Sequence, residues 1–67
     1  MNYKVFDKNM RFTDYCQHVS KYLVIIYDYF PDQAIKIVEQ GKDFIKYYYE
    51  NEESIYSCTL DLGYSCG

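Results

Sequence analysis

Between Asp14 and Phe30 the apolar residues Tyr15, Val19, Tyr22, Leu23, Ile26 and Phe30 recur at spacings of three and four, with one adjacent pair. That period matches roughly 3.6 residues per turn and predicts an amphipathic helix from about Asp14 to Tyr29. Thr13 stands where an N-cap is expected, and Asp14 falls in the first turn, where the helix dipole favours a negative charge. The β-branched run Val24-Ile25-Ile26 weakens the helix locally. Phe30 precedes Pro31 and is steered towards extended backbone. Pro31 suits the first position of a second helix, with Asp32 in its first turn. Ala34, Val38, Gly41, Ile45 and Tyr48 again repeat at four and three, which predicts one helix running through Gly41. There the glycine is either a weak point or a place where the first helix approaches closely. So short a connection makes the two helices neighbours, as an antiparallel helical hairpin.

The flanks are less patterned. "YKVF" alternates weakly and "DKN" is turn-like, so residues 3–12 read as a short strand or hairpin. "YENEES" ends the second helix. Beyond it, Asn51 is a candidate cap for a short third helix holding Ile55, Tyr56 and Thr59. The competing arrangement pairs "FIKYYYE" with "SIYSCTL" as a hairpin. The expected fold class is therefore mainly α, a small helical hairpin with a C-terminal tail, with α+β containing a short hairpin as the alternative.

Length turns the tail into a question of stability. A chain of 67 residues makes one small domain, residues 1–67. At that size burial barely exceeds the entropy lost, and natural folds often add a disulfide, a metal or a partner. The composition, 49% hydrophobic and 21% aromatic, is that of a folded domain rather than a disordered one. No basic region followed by an apolar run opens the chain, and "YLVIIY" is far too short to cross a bilayer. The expected compartment is the cytoplasm, where thiols stay reduced.

In that compartment the three cysteines and the one histidine form a candidate set for structural zinc: Cys16, His18, Cys58 and Cys66. Such a site would tie the tail to the first helix and hold a penultimate residue that otherwise frays. Gly63 would let the loop between Cys58 and Cys66 turn back. The spacing, C-x-H and C-x7-C, is no standard motif. On a regular helix residues i and i+2 point roughly 200° apart, so Cys16 and His18 share an ion only where the segment is extended or distorted. In a regular helix Asp14 and His18 are the better pair, and the set becomes Asp14, His18, Cys58 and Cys66. Plain burial of the cysteines and a Cys58–Cys66 disulfide are the other two readings.

Charge decides what the surface is for. Ten acidic against seven basic residues give a net charge of −3, and the lysines and Arg11 are scattered singly. No basic stripe is available to hold nucleic acid directly. In "YYYENEES" the side chains of Tyr48, Tyr49, Glu50, Glu52 and Glu53 form a candidate partner-binding set. Carboxylates steer approach to a basic groove, and tyrosines supply contact area. No nucleophile with an oriented base is visible and 67 residues leave little room for a pocket, so the chain is read as a non-enzyme.

In size and composition the chain resembles the small phage-encoded type II-A anti-CRISPR proteins; the "YYYENEES" stretch and the Cys/His set are the features that suggest it. The resemblance implies an inhibitor that binds the RNA-guided DNA nuclease of a type II CRISPR system. Such an inhibitor fills a basic channel or locks a mobile lobe, so that target DNA is not loaded or not cut. It also implies a monomer in the bacterial cytoplasm, with zinc in a structural role. The alternatives are a zinc-stabilised regulatory module and a homodimer joined through the tyrosine face.

Overall fold

The computed structural model describes residues 10–66, with side chains to Ser65. They form four helices: α1 (Phe12–Tyr27), α2 (Pro31–Gln40), α3 (Lys42–Glu50) and α4 (Ile55–Cys66). The described residues are mainly helical and contain no strand. The "FIKYYYE"–"SIYSCTL" hairpin is thereby replaced by parts of α3 and α4. Of the strand or hairpin expected at residues 3–12, residues 3–9 lie outside the described residues; Met10 and Arg11 are not in a strand, and Phe12 is helical.

The start of α1 differs from the expectation. Arg11 is the extended N-cap, its carbonyl accepts from the Tyr15 N–H at 3.0 Å, and Thr13 lies inside the first turn. Phe12 packs edge-on against Tyr49, at 5.4 Å between ring centroids, which places the helix start two residues earlier than Asp14. Tyr15, Cys16, Val19 and Leu23 form the buried face. Asp28 ends the helix in the left-handed region, φ 60°, which a short polar side chain tolerates. That turn takes Phe30 off the helical face, so it is exposed rather than part of the stripe. Phe30 is extended before Pro31, as the ring demands, and its N–H is met by Gln33 Oε1 at 3.2 Å.

The long second helix is broken in two at Gly41. Both expectations for this glycine meet there, but the element that approaches is α4 rather than α1. A Cβ on Gly41 would lie 2.8 Å from Leu62 Cδ1 and 3.1 Å from the Ile37 carbonyl. After α3 the cap is not the one expected for α4. Asn51 closes α3, donating from its backbone N–H and from Nδ2 to the Tyr47 carbonyl. Ser54 starts α4, its Oγ accepting from the Ser57 N–H at 3.1 Å. Ile55, Cys58, Thr59 and Leu62 then face inward at helical spacing.

All three other helices pack against α1. Its Tyr15, Val19 and Leu23 meet Ala34 and Val38 of α2, Ile45 of α3 and Ile55, Cys58 and Leu62 of α4 in one core. Gly63, expected in a loop, is inside α4. A Cβ there would overlap the Tyr27 ring, so the absence of a side chain is what lets α1 and α4 close.

Candidate functional site

Three consecutive tyrosines on α3 point in three directions, because each residue advances about 100° around the helix. Tyr49 falls on the same face as Ile45, four residues earlier, and turns inward. Its ring meets Phe12 and Tyr15 edge-on, each at 5.4 Å, and its hydroxyl donates to the Met10 carbonyl at 2.6 Å. Tyr48 lies at the side, stacked on Phe44, and donates to the Asp61 carboxylate of α4. That hydrogen bond, with some burial, pushes the Tyr48 phenol up to about 12. Tyr47 points outward and is 64% exposed. Of the five partner-binding candidates, Glu50, Glu52 and Glu53 are exposed, Tyr48 is half-buried and Tyr49 is a packing residue. Tyr47 was not in the candidate set; its position two residues past Ile45, on the opposite face, was the signal that could have found it.

The turn that carries the carboxylates has a defined geometry. The Glu52 N–H donates to the Tyr49 carbonyl at 3.1 Å and the Glu53 N–H to the Tyr48 carbonyl at 2.9 Å. These two bonds close the end of α3 with Glu52 in the left-handed region, φ 57°. From the other side, the buried Tyr15 hydroxyl donates to the Glu53 carbonyl at 2.9 Å. Burial raises the Tyr15 phenol well above its ordinary value, with Cys58 and Glu53 adding to the shift. The backbone of the turn is thus fixed from both sides. Among the described residues none of the three glutamate side chains forms an ion pair; the pair that does form is Glu39–Lys42, at 3.0 Å.

The Cys/His set is distributed differently from these carboxylates. Cys16 and His18 sit two residues apart on a regular helix, Cys16 buried and His18 half-buried beside Tyr22. For the two to share an ion, α1 would have to unwind there. Cys58 is fully buried, and its thiol is pushed up to about 12 by burial. Cys66 ends α4 and its side chain lies outside the described residues. No three His, Cys, Asp or Glu side chains among the described residues gather as a metal-holding group, including the alternative built on Asp14. Cys16 and Cys58 are free thiols.

A concave feature lies between α1 and α2. Phe12 and Cys16 line one side of a groove of about 390 Å³, Ile35 and Val38 line the other, and Glu39 and Lys42 stand on its rim. No described helix is long and apolar enough to cross a membrane. No family model, curated protein or solved structure matches the chain.

Proposed function

We propose that the chain is a small protein-binding inhibitor that docks through the end of α3, using Tyr47, Glu50, Glu52 and Glu53. The observation that carries this reading is Glu52. A non-glycine residue in the left-handed region costs about 1 kcal/mol, which glycine would avoid. A glutamate at that position adds nothing to the turn's hydrogen bonds, which are made by the backbone. Its use lies in the charge it projects. Beside it, an exposed tyrosine supplies apolar area with a polar tip, as interface anchors do.

The partner that complements such a surface is a basic groove. Within this proposal it is the nucleic-acid channel of a type II CRISPR nuclease, which the protein would occupy so that target DNA is not loaded. Titrating the protein into a guide-loaded nuclease with labelled target DNA tests it. Expected is a block of cleavage that saturates at one protein per nuclease and is lost in a Glu50→Lys, Glu52→Lys, Glu53→Lys variant. Uninhibited cleavage across a panel of such nucleases, with no complex on size exclusion, would overturn the choice of partner. Inhibition unaffected by the charge reversals would overturn the choice of surface.

A further inference from the structure

The outer face of α1 carries three residues that the core does not use. Lys21, Ile25 and Asp28 follow at four and three positions, so they share one face, opposite the buried Val19 and Leu23. Ile25 is 53% exposed, and its branched side chain is a poorer helix former than lysine or leucine in the same place. Asp28 is unfavourable in two ways. It is a non-glycine residue in the left-handed region, φ 60°. Its charge also adds to the negative end of a helix whose last turn holds no basic residue. Neither Lys21 nor Asp28 has an ion pair or a side-chain hydrogen bond among the described residues. The order of the three identifies what covers them. The positive charge stands four residues before Ile25 and the negative charge three after it. When a second α1 lies across Ile25, antiparallel to the first, each Lys21 faces the Asp28 of the other copy and the two isoleucines meet at the two-fold axis. Each lysine then also brings the positive charge that the other helix end lacks. A parallel copy would set lysine on lysine and aspartate on aspartate.

We infer that this face joins two copies of the chain as an antiparallel pair, with Ile25 against Ile25 and two Lys21–Asp28 ion pairs between the copies. The overlap is about two helical turns per copy, which is a small interface, so the pair forms at a concentration on the order of 50 μM. Tyr49 packs on Phe12 and Tyr15, so the end of α3 lies at the opposite end of α1 and stays open in the pair. The pair therefore goes beyond the docking reading above and does not rest on it.

The experiment is sedimentation equilibrium of the full chain from about 5 μM to about 1 mM, over which the wild type should pass from monomer to dimer. Lys21→Asp and Asp28→Lys each put like charges face to face, and each should weaken association at least about tenfold. Mixed in equal amounts, the two variants should recover a heterodimer close to wild type in strength, because every reversed charge then meets its opposite. Misfolding of either variant cannot produce that recovery. Ile25→Asp should leave a monomer with unchanged helical circular dichroism, while Tyr47→Ser at the end of α3 should leave the dimer intact. A wild type that stays monomeric throughout overturns the proposal, and loss of partner binding in Ile25→Asp would then give the face to that partner. So does a dimer that survives Ile25→Asp, or two folded charge variants that do not recover on mixing. A dimer dissolved by Tyr47→Ser also overturns it and assigns the contact to the tyrosine face. If a charge variant has lost its helical dichroism, Ile25→Asp decides.

Discussion

The two long seams of α1 are built in opposite ways. Against α4 the packing is close: Tyr27 lies over Gly63 with no side chain between, and its hydroxyl reaches the Leu60 carbonyl at 2.8 Å. The Tyr15 hydroxyl extends this closure to the turn before α4. Against α2 the helices part around the groove above Cys16, and Ile35 is left half in water. Tyrosine accounts for much of the contrast. A phenol buries a ring as Phe does, yet its hydroxyl also reaches a backbone carbonyl of the neighbouring helix or turn. Some of this chain's ten tyrosines are therefore cross-links between elements, not a binding face.

The sharpest way to break the contrast is Gly63→Ala. The Tyr27 ring cannot swing away without giving up its bond to Leu60, so chemical denaturation should show a loss of about 3 kcal/mol. High pH attacks the same side of the core. Burial holds the Cys58 thiol protonated, up to about 12 from an ordinary 9.0, so the folded state binds this proton more tightly than the unfolded chain. Its contribution is complete below about pH 9 and disappears as pH rises towards 12, with a loss on the order of 1 kcal/mol by pH 10. A Tm series across that range should slope downward, and Cys58→Ala should flatten part of the slope.

Tyr27→Phe keeps the ring on Gly63 and removes only the hydroxyl, so about 1 kcal/mol should be lost in the same denaturation assay. Glu52→Gly goes the other way. Relief of the left-handed strain is offset in part by the flexibility glycine adds to the unfolded chain, so Tm should rise by a gain of less than about 1 kcal/mol. If the proposed docking surface is used, the same variant should bind its partner more weakly, which separates a charge used for binding from one used for the fold. Ile35→Ser on the open seam should change stability by no more than about 0.5 kcal/mol. A loss comparable to that of Gly63→Ala would show the two seams to be equally closed.

What could be read in advance follows the same division between local and distant causes. The helix around Val19 and Leu23 and the start of α2 at Pro31 rest on periodicity and on a ring-locked φ, both local. The break at Gly41 depends on Leu62, and the role of Gly63 on Tyr27, partners 21 and 36 positions away that no local pattern names. Asn51 and Ser54 both suit a helix N-cap, and only the wrapping of the backbone around Glu52 assigns one to an end and the other to a start. At the end of α3 the partner-binding set was read from the run of letters, which kept the inward Tyr49 and left out the outward Tyr47; counting around the helix from Ile45 separates the two. At Cys16 and His18 the helix prediction and the zinc expectation pulled against each other, and the segment is a regular helix.

The tyrosine ties also bear on how fast this chain finds its structure. Tyr27 to Leu60, Tyr15 to Glu53 and Tyr49 to Met10 join residues 33, 38 and 39 positions apart. Small helical proteins usually fold quickly because most of their contacts are local, whereas here the closing contacts span about half the chain. Each requires a long loop to be closed before its bond repays the lost entropy. These three ties are therefore expected to form late, after the helices and their local contacts are in place.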